Sequence, residues 1–170
     1  MLEPKFQFVE CGEAFYVPMI LDQELTDALI EISTERSLPT KKCTTLGTND
    51  FYLGQGRLDG AFCSYNQEKR YNFLNKIKDK GVGNIEMESH IFAAFCSRAG
   101  VRGAVIFFSK NNFFHFQKIW KFYEILMCVA LVDRFGKSAE NDQIKADAAT
   151  MSKWIQNSID VLFEYIDRQI

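Results

Sequence analysis

Two hydrophobic rhythms alternate along this chain, and their alternation restricts the fold more than any single residue does. Phe6-Gln7-Phe8-Val9 and Ala14-Phe15-Tyr16-Val17 repeat every second position, as half-buried strands do. Asp22 then stands where a helix N-cap belongs, and Leu25, Ala28, Leu29 and Ile32 share one face at helical spacing. Ser64-x-x-Gln67 has the form of a capping box before a helix through Tyr71, Leu74 and Ile77, which Gly81 stops. A strand is predicted over 83–85, followed by a helical stripe of Ile91, Phe92, Phe95, Cys96 and Ala99 closed by Gly100. Met151, Trp154, Ile155, Ile159, Leu162, Phe163 and Ile166 mark a long amphipathic helix near the C-terminal end. Such alternation predicts an α/β fold, a sheet with helices on its faces. In each stripe, core packing explains the apolar residues without a cofactor.

One stretch breaks the rhythm. Residues 104–106 and 128–132 would join into one apolar run, which is how a central strand buried on both faces reads. Between them lie 21 residues, 107–127, holding six of the 16 Phe together with Trp120 and Tyr123. Fifteen of the 21 are Phe, Tyr, Ile, Met, Asn or Lys, the residues of AT-rich codons, and Gly, Pro, Asp, Thr and Val are missing. Translated intron sequence splitting a strand would have this composition. So would a helical insertion, since Phe113, Phe116, Trp120, Tyr123 and Met127 recur at three- and four-residue steps. Lys110, His115, Lys118, Lys121 and Glu124 argue against a membrane span and leave interfacial binding open. His115 lies inside this anomaly and receives no catalytic role.

Composition narrows the class of partner. A chain of 170 residues can carry one domain with its own core. A formal charge of −2 argues against nucleic acid or an anionic membrane as the main partner. Cys11, Cys43, Cys63, Cys96 and Cys128 include no Cys-x-x-Cys pair and are odd in number. Reduced core thiols in a cytoplasmic protein are expected, and no metal site. Met1-Leu2-Glu3-Pro4-Lys5 lacks the apolar core of a secretion signal.

The chemistry concentrates in Asp50-Phe51-Tyr52-Leu53-Gly54-Gln55-Gly56-Arg57-Leu58-Asp59-Gly60. Three glycines let backbone approach a flat ligand, while Gln55 offers an acceptor and two donors in one plane and Arg57 a rigid fork of donors. Together they match a pyrimidine edge with two carbonyl oxygens around one N–H. A solvated surface turn is the competing reading. The second cluster, Glu86-Met87-Glu88-Ser89, sits between a predicted strand and the helix after it, where α/β sheets place ligands. A carboxylate there can accept from paired ribose hydroxyls beside free helix N–H groups. Alternatively, Glu86 and Glu88 simply favour the helix dipole. His90 is read as a packing or helix-surface histidine.

These two segments, with Leu131-Val132-Asp133-Arg134 and Asp142-Gln143-Ile144, resemble the pyrimidine- and ribose-reading segments of uridine phosphorylases. The likeness covers most of residues 1–106 and 128–170, and Gln-x-Arg is what separates that family from its purine-cleaving relatives. The resemblance implies an incomplete nucleoside phosphorylase domain over 1–170, a partial α/β/α sandwich whose central mixed sheet is flanked by helices, with 107–127 as an atypical insertion. It implies that Phe51 packs on the base, Gln55 bonds N3–H and O2, and Arg57 donates towards O4, supported by Arg134. Leu131, Val132 and Ile144 would wall the base, and Met87 and Glu88 would hold the ribose, with a weaker assignment for Glu86.

The implied reaction is reversible phosphorolysis of uridine to uracil and ribose 1-phosphate, with phosphate as co-substrate and attacking nucleophile, and no cofactor. Gln55 and Arg57 would act on rate by stabilising charge on the departing uracil. Family members run to about twice this length and form symmetric oligomers. The glycine-rich loop, arginines and Gly-Thr-Ser-type turn that hold phosphate in the family have no counterpart in these 170 residues. The chain is therefore expected to match the carboxyl-terminal half and to be inactive or impaired alone. A non-catalytic isoform that binds nucleosides or associates with full-length subunits is the alternative, since unpaired sheet edges and apolar faces favour association.

Overall fold

The structure, a computed structural model, describes residues 4–38, 40, 42–108, 117–120, 123–129 and 147–169, with side chains for those up to Ile106 and from Asp147 on. In chain order the elements are β1 (Lys5–Glu10), β2 (Glu13–Pro18), α1 (Gln23–Glu35), β3 (Thr44–Gly47), α2 (Gln67–Lys78), β4 (Val82–Glu86), α3 (Ser89–Ala99), β5 (Arg102–Phe108), β6 (Gln117–Trp120), β7 (Tyr123–Val129) and α4 (Ala148–Asp167). The α/β alternation expected from the sequence is present. The described strands are grouped in three small sheets, β1-β2, β3-β4 and β5-β7-β6. The chain divides into two compact units, one of Met1–Lys41, Ile91–Leu131 and Lys145–Ile170, the other of Lys42–His90 and Val132–Ile144.

In the first unit, β1 and β2 form a hairpin in which Glu10 pairs with Glu13 across Cys11 and Gly12. Both turn residues have positive φ, 51° and 91°, the twist that a two-residue type I′ connection needs. Phe6, Phe8, Phe15 and Val17 are half-buried while Gln7, Val9, Ala14 and Tyr16 are exposed, so the period of two sets the packed face. Phe8 stacks on its cross-strand partner Phe15 at 5.5 Å and meets Phe95 of α3 edge-on at 5.2 Å. Arg98, one turn along α3 from Phe95, lies 4.5 Å over the Phe15 ring.

Asp22 caps α1 as expected, its Oδ1 accepting from Leu25 N at 2.7 Å. The same carboxylate accepts from Arg102 Nε at 2.6 Å and Nη2 at 2.7 Å, and Asp22 N donates to Gly103 O at 2.8 Å. The start of α1 is thereby pinned to β5. The core below it joins Leu25, Leu29 and Ile32 of α1 to Ala104 and Ile106 of β5 and to Val161 and Tyr165 of α4. Full burial of each large aliphatic side chain contributes about 1.5–3 kcal/mol. At the far end of α1, Arg36 reaches Asp160 at 2.9 Å and Glu164 at 2.8 Å, while Arg168 pairs with Glu35 and Glu164.

The structure corrects several readings of pattern. The α2 cap is Asn66, accepting from Lys69 N at 3.0 Å, and Ser64 lies too far ahead to serve. On α3 the buried apolar residues are Ala93, Ala94 and Cys96, while Phe95 is 54% exposed: small residues let the helix sit close and push the large ring to the rim. On α4 the deepest positions are Ser158, Val161 and Tyr165, and Phe163 is exposed. The Ser158 hydroxyl fits that depth by donating to Trp154 O at 3.0 Å. Among the described residues, Cys11, Cys43, Cys63 and Cys96 form no disulfide, and of these only Cys96 is buried, so the expectation of core thiols holds for that one alone.

The aromatic stretch is not helical where it is described. β5 continues through Phe108, and β7 pairs with it in parallel, setting Ala104 against Ile125, Val105 against Leu126 and Ile106 against Met127. β6 returns antiparallel onto β7, with Trp120 opposite Tyr123. With residues 107–127 present, positions 104–106 and 128–129 lie on neighbouring strands. Among the described residues, no helix is long and apolar enough to cross a membrane.

Candidate functional site

β3 and β4 run parallel, with Leu46 opposite Ile85 and Gly47 opposite Glu86, so both strands end at one edge. The two segments singled out in the sequence leave the sheet there. Residues 48–60 follow β3, and Met87 and Glu88 link β4 to α3. The carboxyl edge of parallel strands is where such sheets hold ligands, because successive connections and helix N-termini converge on it.

The loop after β3 is held by its own polar side chains. Thr48 N donates to Glu86 O at 2.8 Å, fastening the loop to the end of β4. Asp50 folds the chain back: Oδ1 accepts from Tyr52 N and Oδ2 from Gly54 N, both at 2.8 Å. Arg57 N donates to Tyr52 O at 2.9 Å, and the Tyr65 hydroxyl donates to Arg57 O at 2.6 Å. Gly56 has φ +67°, and a Cβ there would lie 3.0 Å from Phe73 Cδ1 and 4.0 Å from Arg70 Cγ. The loop thus rests against side chains of α2, and only glycine fits the bend without strain.

Burial at this loop is inverted. Gln55 and Arg57 are 3% and 6% exposed, while Phe51, Tyr52 and Leu53 are exposed and Phe62 is 86% exposed. Sequestering an amide and a guanidinium while neighbouring aromatic residues stay exposed opposes the usual partition of polar and apolar side chains. Arg57 donates from Nε to Asp59 Oδ1 at 2.8 Å and from Nη2 to Asp59 Oδ2. Its Cζ sits 4.4 Å over the Phe51 ring and 5.6 Å from that of Tyr52. The fork is therefore oriented before any ligand arrives. Phe51, expected against the base, carries Arg57 on one ring face.

At the second segment, Glu86 Oε2 accepts from Glu88 N and Ser89 N, each at 2.6 Å, and Oε1 accepts from Ser89 Oγ at 2.6 Å. Glu86 therefore closes the start of α3, as the helix-favouring reading had it. Glu88 is exposed, and its Oε2 accepts from Met87 N at 3.1 Å. His90 packs across Gly47, where a Cβ would lie 2.5 Å from the imidazole, so it is a packing residue.

The structure thus brings Phe51, Gln55 and Arg57 into one loop and sets Met87 and Glu88 at the end of the adjoining strand. Leu131, Val132, Arg134, Ile144 and His115 lie outside the described residues. Sequence reasoning missed Thr48, Asp50, Asp59, Tyr65 and Arg70. Asp50 accepts from the backbone two residues on, the Asx-turn that an Asp at the head of a glycine-containing loop favours, and that signal would have found it. Burial of Arg70 had no local sign. Among the described residues, no cluster of three His, Cys, Asp or Glu side chains could hold a metal.

Comparison with known proteins identifies the family. A uridine and thymidine phosphorylase of Caenorhabditis elegans is 46% identical over 95 residues, 56% of this chain and 32% of that protein. Uridine phosphorylase 2 of Mus musculus is 34% identical over 169 residues, 99% of this chain and 45% of that protein. The crystal structure of uridine phosphorylase from Schistosoma mansoni in complex with uracil superposes with a TM-score of 0.73 at 26% identity, over 99% of this chain and 50% of that one. The chain spans about half the length of the relatives it matches most fully. The family model described as phosphorylase superfamily matches residues 5–166, and the chain belongs to that superfamily.

Proposed function

We propose that these residues form the base- and ribose-reading part of a uridine phosphorylase, a pentosyltransferase of pyrimidine salvage. The observation that carries this reading is the burial of Gln55 and Arg57, 3% and 6% exposed, at the carboxyl edge of parallel strands whose other end-turn presents Glu88. An amide and an oriented guanidinium suit a uracil edge, and the similar proteins act on or bind uridine, thymidine or uracil by their names.

The chemistry is the reversible displacement of uracil from the ribose C1′ by phosphate. As the glycosidic bond breaks, the sugar becomes oxocarbenium-like and the electron pair moves onto the uracil ring and its carbonyl oxygens. Donors already fixed where that charge appears lower the barrier without reorganising, and one such donor contributes about 2.7–4 kcal/mol. Gln55 and Arg57 take that role, with Asp59 and Phe51 keeping the guanidinium in place. Glu88 binds the ribose hydroxyls and orients the anomeric carbon. Phosphate is the nucleophile, so no side chain attacks. Met87, Leu131, Val132, Arg134 and Ile144 complete the proposed pocket, 107–127 is an insertion within the domain, and the free thiols suit a cytoplasmic protein.

Isothermal calorimetry of this chain with uracil tests the reading. The unmutated chain should release heat, and Gln55→Leu should weaken binding by at least about tenfold, because a buried hydrogen-bond partner is removed. Equal affinity in the two proteins would overturn the assignment of Gln55.

A further inference from the structure

One residue joins the two halves of this site. The Glu86 carbonyl accepts from Thr48 N at 2.8 Å and lies 3.3 Å from the Thr48 hydroxyl, anchoring the loop that carries Gln55 and Arg57. Its carboxylate accepts from Glu88 N, Ser89 N and Ser89 Oγ, all at 2.6 Å, shaping the turn that carries Met87 and Glu88. Thr48 and Ser89 are both buried, 8% and 6% exposed, while the bond from Glu88 N lies at the exposed side of the turn.

We propose that Glu86 is a positioning residue that holds the ribose-reading turn in register with the base-reading loop, so that one nucleoside spans both. This rests on the uridine-binding reading of the site. The carboxylate bonds three donors within the chain and acts on the sugar only through Glu88. Charge-assisted acceptance by both oxygens fixes the orientation of residues 87–89 more tightly than a neutral cap would. The parallel pairing of Gly47 with Glu86 then transmits that orientation to the β3 loop. A Gln side chain keeps an acceptor for the two N–H groups, and its amide can donate to the Ser89 hydroxyl, so it should preserve the turn. An Ala side chain cannot.

Calorimetry with uracil and with uridine separates the ribose contribution from the base contribution. Glu86→Ala should weaken uridine by about tenfold or more while changing uracil by less than about threefold. Glu86→Gln should retain both affinities. In a Glu88→Ala background, Glu86→Ala should remove little further, because two residues acting through one contact are non-additive. Full additivity there would overturn the proposal, as would an unchanged uridine-to-uracil ratio in Glu86→Ala. Amide hydrogen exchange gives a ligand-free arm: Glu88 and Ser89 should exchange at least about tenfold faster in Glu86→Ala, and unchanged rates would refute the clamp. If the unmutated chain binds neither uracil nor uridine, the uridine reading fails while the exchange arm still decides the role of Glu86.

Discussion

Replacing Asp22 separates two interactions that one carboxylate makes. Its Oδ1 accepts from Leu25 N at 2.7 Å, and the pair of oxygens accepts from Arg102 Nε and Nη2 at 2.6 and 2.7 Å. Loss of an N-cap acceptor costs about 1 kcal/mol. The ion pair is partly solvated, with side-chain exposures of 24% and 38%, so it contributes about 0.5–1 kcal/mol. Asp22→Ala should therefore destabilise by about 1.5–2 kcal/mol. Asp22→Asn keeps the cap and should lose only the ion-pair share. With a urea slope of about 2 kcal/mol/M, the Ala variant should shift its midpoint by about 0.8–1 M and the Asn variant by about half that or less. Trp154, packed against the core, supplies the fluorescence signal.

The pH dependence has a definite sign. The bonds from Arg102 hold the Asp22 carboxyl below its ordinary range, burial opposes them, and the Leu25 N–H adds to the lowering. A folded-state value below the unfolded one means stability that is present above about pH 4 and is lost as pH falls through the lower folded value. The gap between unmutated chain and Asp22→Asn should therefore be full at pH 7 and narrow below about pH 4. Equal destabilisation by Ala and Asn, or a gap that widens in acid, would refute this reasoning.

Three further outcomes follow from the geometry. Gly56→Ala places a Cβ at φ +67° and 3.0 Å from Phe73, and should cost about 1–2 kcal/mol in urea unfolding together with uracil affinity; an unaltered midpoint would show that the bend is relaxed. Arg57→Lys cannot reproduce the fork onto Asp59 or the stack on Phe51, and uracil binding should fall by about tenfold, which a calorimetric titration reads directly. Arg36→Ala removes two exposed ion pairs to α4 and should cost no more than about 1 kcal/mol, shrinking in 1 M salt; a larger or salt-independent loss would mean that alkyl packing dominates.

Much of the site was legible because its elements are local. Asp22, Gly81 and Gly100 mark helix ends through short-range backbone needs, and all three stand at helix ends here. Gln55 and Arg57, two residues apart on one glycine-rich segment, are legible as two planar polar groups carried by a single turn. Less was legible at 107–127, where helical spacing gave no sign that Tyr123–Val129 would pair in parallel with β5. The α3 and α4 stripes were legible in part: Cys96 is buried, and Trp154 and Leu162 pack against the core. Side-chain size points to Phe95 and Phe163, yet close approach of neighbouring elements selects Ala93, Ala94, Ser158 and Val161.

Residue types and their spacing were enough to establish an α/β alternation and to single out a glycine-rich loop carrying an amide and a guanidinium, because periodicity, capping and donor patterns act within a few residues. Only the folded chain could bury that amide and guanidinium, turn Asp59 onto Arg57, and commit the Glu86 carboxylate to the start of α3. Those outcomes depend on which groups meet across strands and loops. Burial and hydrogen-bond allegiance belong to the assembled tertiary neighbourhood, where each polar group must find its partner out of reach of water.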